Sequence, residues 1–128
     1  MTRTPTKHNE MDIIEENQAM RRLLGMPHAS NVEILKDAVS VVTGLKWDEV
    51  SSKGKAGLLP LARGLFAYIG VMRHGMHPSD ISRELLRDRT TIYHSVESIG
   101  DKLHIKSPLE TGMYKQINTI LDNVYNQR

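Results

Sequence analysis

The chain has 128 residues, a formal net charge of +2, 39% hydrophobic residues and no cysteine. This length and composition are typical of a single globular domain with one modest core. The absence of cysteine excludes disulfides and thiolate metal sites. No apolar run is long enough to cross a bilayer, and residues 1–18 lack the apolar core of a signal peptide, so we expect a cytoplasmic protein without a membrane partner.

Charge is distributed unevenly along the chain. Residues 53–106 contain nine Lys and Arg against five Asp and Glu, whereas residues 1–52 contain six against eight. A basic middle between neutral or acidic flanks indicates a surface that binds a polyanion. A solvated surface without a partner is the alternative, and charge alone does not choose between them.

The first part of the chain predicts a disordered start followed by helices. Residues 1–10 are polar and without periodicity, which predicts disorder. A first helix is predicted over 11–25, and after a linker a second helix begins at residue 30 or 31 and ends at Gly44. A short helical turn is predicted at 47–51. The inward-facing positions are Ile13, Ile14, Met20, Leu23, Leu24, Val32, Leu35, Val39, Val42, Trp47 and Val50.

A basic loop separates these helices from a longer one. The loop sequence SSKGKAG, residues 51–57, combines small residues with Lys53 and Lys55. Pro60 suits the first turn of the next helix, because the N–H that proline lacks has no partner there. This helix is predicted to run to about His74. Its predicted inner stripe consists of Leu61, Leu65, Tyr68 and Met72.

Two further helices are separated by a very short turn. Pro78 suits the start of a helix over 78–86. A second helix is predicted over 89–104, because apolar residues recur there on one narrow stripe and Asp88 is a good N-cap. The inward-facing residues are Ile81 and Leu85 in the first helix, and Ile92, Val96, Ile99 and Leu103 in the second.

The segment that begins with Ser107 predicts a last helix. It combines a capping box, from Ser107 to Glu110, with proline at the first helical position. No segment of the chain alternates with period two, so the fold class is all-α, a small helical bundle. The apolar side of the last helix consists of Met113, Ile117, Ile120, Leu121 and Val124.

The succession of helix 78–86, turn 87–88 and helix 89–104 is typical of a helix-turn-helix. In that motif the N-terminal residues of the second helix reach base edges in the major groove of DNA, while the first helix lies across the backbone. Arg89 can pair with guanine through two N–H groups, and Thr90 offers a hydroxyl and a methyl group. The alternative is an ordinary helix pair of a bundle, with its arginines simply solvated.

The sequence RDRTTIYHSV at residues 87–96 resembles the signature of the C-terminal DNA-binding domain of the bacterial replication initiator DnaA, which reads roughly G-G-R-D-H-T-T-V-x-H-A. Two upstream segments are similar in the same order. PSDI at 78–81 stands where the family has P-E-I, and ARGLFAY at 62–68 stands where it has P-R-Q-I-A-M-Y. The likeness covers about residues 31–104. This chain has Leu85 and Leu86 in place of the family's glycine pair, and an arginine in place of its histidine.

The resemblance implies a helix-turn-helix of the Trp-repressor and DnaA type that binds double-stranded DNA, with DnaA-box-like sites as the expected targets. By motif position it places Asp88, Arg89 and Thr90 at base edges, and Thr91 and Arg63 at phosphates. The loop 51–57 stands where the family inserts an arginine into the minor groove, so Lys53 and Lys55 are expected along the backbone or minor groove. The expected DNA contacts are completed by Ser79 and Arg87 at phosphates and by His94.

The domain organisation follows from the extent of this likeness. We expect one domain over 11–128, with a DNA-binding core at 30–105 and accessory helices at 11–25 and 107–127. The accessory helices either wrap this core or form a homodimer contact, and the sequence does not choose between the two.

No catalytic constellation and no G-x-x-x-x-G-K-[ST] motif occurs in the chain, so we expect neither an enzyme nor a cofactor. His74, His77 and Asp80 are close in sequence but straddle a predicted helix break, which favours a solvated loop over a metal site. The expected function is sequence-specific DNA binding in replication initiation or its regulation, without ATPase activity. A transcription regulator with the same motif and an all-α protein-interaction module are the alternatives.

Overall fold

The computed structural model describes residues 30–127, which form six α-helices. No strand occurs in this range, which confirms the all-α prediction, and none of the six helices is long and apolar enough to span a bilayer. The predicted disorder at 1–10 and the predicted helix at 11–25 lie outside the described residues. The helices are α1 (Asn31–Thr43), α2 (Trp47–Val50), α3 (Leu59–Met72), α4 (Pro78–Leu85), α5 (Arg89–His104) and α6 (Pro108–Gln127).

α3 is the central helix and packs against each of the other five. Ala62, Leu65, Phe66 and Ile69 are at most 1% exposed, and they lie on more than one side of the helix. A helix that is apolar on several sides is enclosed by its neighbours along its middle. Met72 was predicted to face inward as the last residue of one apolar stripe, and this prediction is wrong. The side chain is 63% exposed, because the last turn of this enclosed helix reaches the surface.

α1 and α2 cover one side of α3. The hydroxyl of Ser30 caps α1 by accepting from the N–H of Glu33 at 3.2 Å, and Gly44 ends the helix in the left-handed conformation. The ring of Trp47, in α2, lies 4.7 Å from the ring of Phe66 in α3. The inward positions predicted for this region are buried or half-buried, namely Val32, Leu35, Val39, Val42, Trp47 and Val50.

α6 packs on the same core as the other helices. Ile117, Leu121 and Val124 are fully buried, as predicted for the apolar side of this helix. At the C-terminal end of α3, the guanidinium of Arg73 donates to the carboxylate of Asp122 at 2.7 Å. The helix predicted as accessory at 107–127 therefore wraps the core, while a homodimer contact stays a prediction.

Candidate nucleic-acid interface

α4 and α5 are connected by residues 86–88 and pack against each other. Nδ1 of His77 caps α4 by accepting from the N–H of Ser79 at 3.1 Å. Leu86 ends α4 in the left-handed conformation, with φ 55° and ψ 45°. Asp88 then caps α5, its Oδ1 accepting from the N–H of Thr91 at 2.8 Å. The cap and both ends of α5 agree with the helix predicted at 89–104.

The first two turns of α5 present polar side chains to solvent. Arg89, Thr90, Thr91 and His94 are exposed, whereas the apolar stripe on the opposite side is buried or half-buried. Asp88 is exposed as well, and hydrogen bonds from the backbone N–H and the hydroxyl of Thr91 hold the pKa of its carboxyl below the usual value. Within residues 30–127 no ion pair neutralises Arg89. We call residues 88–91 the tip of α5.

A close approach between α3 and α5 positions this tip. A Cβ atom added to Gly64 would lie only 2.8 Å from Cγ1 and 3.0 Å from Cδ1 of Ile99. Ile99 is 4% exposed and β-branched, so it has little freedom to move aside. Glycine at position 64 therefore allows α5 to lie directly against the central helix.

The basic loop 51–57 lies between α3 and the turn that joins α4 to α5, and one arginine from each of them bonds to it. Its two lysines are exposed. Arg63 of α3 donates from Nε to the carbonyl of Val50 at 2.6 Å and from Nη2 to the carbonyl of Ser52 at 2.7 Å. Arg87 of the turn donates from Nη2 to the same carbonyl of Ser52 at 2.6 Å.

These contacts change the interpretation of two predicted phosphate contacts. Arg63 is only 7% exposed, and burial, followed by the positive charge of Arg87, lowers its pKa. Arg87 is half-buried, and its Nη1 also donates to the carbonyls of Leu85 and Leu86 at 3.3 and 3.2 Å. Both guanidinium groups thus support the loop and the turn instead of extending freely into solvent. The sequence could not show this, because it depends on where the loop lies relative to α3.

The polar groups near the start of α4 have partners of their own. The hydroxyl of Ser79 lies 2.8 Å from Nδ1 of His77, Asp80 forms an ion pair with Arg83, and His74 is half-buried against α6. In the described part of the chain, no group of three or more His, Asp and Glu is arranged to hold a metal ion. Ser79 is half-buried at the first turn of α4, and its contact with a phosphate stays a prediction.

A groove of about 480 Å³ runs along the flank of α5 next to the tip, between α5 and the first residues of α3 and α6. Thr91, Ser95, Ser98 and Lys102 line it and follow one another at i, i+4, i+7 and i+11. Of the polar residues on this flank, only Thr91 and His94 were predicted from the sequence to contact DNA. The signal that could have identified Ser95, Ser98 and Lys102 is that these polar residues follow Thr91 at helical spacing.

Comparison with known proteins gave no match to a family model, a curated protein or a solved structure. The likeness to the DnaA DNA-binding domain therefore rests on the motif at 87–96 and the segments that precede it. Inferences about function depend on the exposed tip of α5 and on the basic loop beside it.

Proposed function

We propose that the chain binds double-stranded DNA by inserting the tip of α5 into the major groove. The observation that carries the proposal is the tip itself, where Asp88, Arg89 and Thr90 are exposed while the back of the same helix is buried in the core. Reading base edges requires polar side chains on a backbone whose position is fixed from behind. The exposed Lys53 and Lys55 add positive charge for the phosphate backbone.

Each side chain of the tip has a role that its chemistry allows. Arg89 can donate two N–H groups to O6 and N7 of a guanine, and Thr90 can contact a thymine methyl group. Oδ1 of Asp88 accepts from the N–H of Thr91 in the cap, and a carboxylate has enough lone pairs to accept from the amino group of a cytosine as well. Thr91 and His94 line the groove on the flank of α5, where they can contact phosphates.

The remaining contacts come from the elements beside the tip. Ser79 stands at the start of α4, the helix that crosses the backbone in this motif. Lys53 and Lys55 would lie along the backbone or in the adjacent minor groove. Arg87 adds its charge from behind the turn.

The resemblance to the DnaA DNA-binding domain favours a role in replication initiation or its regulation, with DnaA-box-like sites as targets. The chain contains no G-x-x-x-x-G-K-[ST] motif, so the proposed activity is to mark such a site or to compete for it. A transcription regulator would use the same surface on a different target sequence.

Fluorescence anisotropy tests the proposal with a labelled DnaA-box duplex and a scrambled duplex of equal length, each at two salt concentrations. Tighter binding to the box supports a recognition code shared with DnaA. Equal and salt-sensitive binding to both duplexes supports DNA binding with another target, which selection from random duplexes would then identify. Absence of binding to either duplex refutes the proposal.

Arg89→Ala tests the role of the tip. We expect a loss of about 1–3 kcal/mol, or about 5- to 150-fold in affinity, together with weaker discrimination at one base pair. Lys115→Ala is the charge-matched control, because Lys115 is exposed on α6 and lies outside the helix pair. Equal effects of the two substitutions would show that the tip contributes only charge.

A protein-interaction module is the second candidate. It is favoured by Ile105 and Leu109, which are 73% and 52% exposed at the junction of α5 and α6. A homodimer is one form of this interaction, and a second copy would double the phosphate contacts on a paired site. Sedimentation velocity, measured with and without DNA, determines whether the chain is a monomer or a homodimer in each condition.

A further inference from the structure

Three segments of the chain meet at the carbonyl oxygen of Ser52. It accepts from Nη2 of Arg63 at 2.7 Å and from Nη2 of Arg87 at 2.6 Å, so it joins the central helix and the turn of the helix-turn-helix to the basic loop. Arg63 is also bonded to the carbonyl of Val50, the last residue of α2. The loop is therefore held at Ser52 between the central helix α3 and the turn that joins α4 to α5.

The other hydrogen bonds of the loop are local. The N–H of Ser52 donates to the carbonyl of Glu49, and the N–H of Gly54 donates to the hydroxyl of Ser52. Farther on, the N–H of Leu59 donates to the carbonyl of Ala56. Within the described part of the chain, the two arginines therefore supply the hydrogen bonds that tie this loop to distant elements.

The electrostatics of this junction are unusual for a purely structural contact. Two guanidinium groups share one neutral acceptor, and within residues 30–127 no ion pair joins either of them to a carboxylate. Like charges held this close repel each other, and a partly buried cation loses hydration. Positive potential is therefore concentrated beneath the loop that carries Lys53 and Lys55, where a polyanion would lower the repulsion.

We propose that Arg63 and Arg87 are positioning residues that fix the loop 51–57 relative to the tip of α5. This connection keeps the distance between the lysines of the loop and the base-reading residues of the tip constant. Both can then contact one duplex, and binding does not bear the entropic cost of ordering the loop. This inference rests on the proposed function and assigns the two arginines a role other than direct phosphate contact. The planar guanidinium is required, because one nitrogen must reach the loop while another bonds to the turn.

The first experiment measures hydrogen exchange in the absence of DNA. Arg87→Ala should accelerate exchange of the amides of Ser52, Gly54 and Leu59 by about 10- to 100-fold, since it removes a charge-assisted hydrogen bond to the loop. Arg83→Ala is the matched control, because it removes the same charge from the same helix pair but breaks only the pair with Asp80. Unchanged exchange in Arg87→Ala would overturn the proposal.

The second experiment is a double-mutant cycle measured by the salt dependence of DNA binding. Removing both loop lysines (Lys53→Ala with Lys55→Ala) should lower the salt slope by about two in the wild type. In the Arg87→Ala background the same pair should lower it by less than about one, because a released loop no longer holds its lysines at the DNA. Equal decrements in both backgrounds would mean independent phosphate contacts and would overturn the positioning role.

Arg87→Lys separates charge from geometry. It keeps the positive charge but not the planar fork, so we expect it to behave like Arg87→Ala in both experiments. Full rescue by lysine would overturn the proposal. Absence of DNA binding by the wild type would refute the proposed function, whereas the exchange experiment would still decide whether Arg87 orders the loop, so the two failures are distinguishable.

Discussion

Replacing Gly64 with alanine tests the close approach of α3 and α5 on which the position of the tip depends. The new Cβ would lie 2.8 Å from Cγ1 of Ile99, well below a normal contact, so Ile99 or the whole of α5 must shift. Gly112 of α6 provides a matched control, because a Cβ added there meets no atom within 4 Å. Gly112→Ala therefore measures the change in helix propensity without a packing conflict.

The expected magnitudes follow from two opposing effects. Alanine is more favourable than glycine in a helix interior by about 1 kcal/mol. Overpacking of a well-filled core costs about 1–3 kcal/mol. Gly64→Ala should therefore lower the free energy of unfolding by about 0–2 kcal/mol, whereas Gly112→Ala should raise it by about 1 kcal/mol. The difference between the variants, about 1–3 kcal/mol, isolates the contact with Ile99.

Urea unfolding followed by the fluorescence of Trp47 measures both variants, since this single tryptophan packs against Phe66 in the core. Gly64→Ala should also weaken DNA binding more than Gly112→Ala, because a displaced α5 carries the tip with it. Equal stabilisation by the two substitutions would refute the reasoning, since it would show that Ile99 yields without cost.

Two further predictions concern the turn and the end of α3. Leu86 is left-handed and 70% exposed, and Leu86→Gly should raise the free energy of unfolding by roughly 0–1.5 kcal/mol. Relief of the left-handed strain contributes about 1–2 kcal/mol, and the greater freedom of glycine in the unfolded chain takes back about 0.5–1 kcal/mol. Leu86→Ala keeps the strain, and an equal gain from it would contradict this account. Burial, and then the charge of Arg73, lower the pKa of His74, whose Nε2 lies 2.7 Å from the hydroxyl of Tyr125. The fold prefers the neutral ring, so this stability is present above the usual pKa of about 6.5 and is lost as the pH falls below it. Thermal unfolding between about pH 8 and pH 5 should show the loss, and His74→Phe should reduce it, whereas an unchanged pH dependence would contradict the assignment.

The elements of this protein were predictable because their signals are local. The bounds of α5 follow from the carboxylate of Asp88, which satisfies N–H groups of the first turn, and from an apolar stripe of helical period. Gly44 and Pro78 mark an end and a start for equally local reasons. The exposure of Thr90 and His94 follows as well, since helix geometry places them away from that stripe.

Other features depend on residues distant in sequence, and only the tertiary structure decided them. Arg63 was expected from the sequence to contact phosphate, yet it is buried, because the end of α2 and the start of the loop lie against it and each offers a carbonyl. The groove beside α5 exists only where three helices meet. By itself the sequence determined the helices and the exposed tip, since capping and periodicity act over a few residues. Two features could be seen only in the folded chain, namely that Arg63 and Arg87 point toward the loop and that α5 lies against Gly64. Both depend on contacts between residues that are far apart in the sequence.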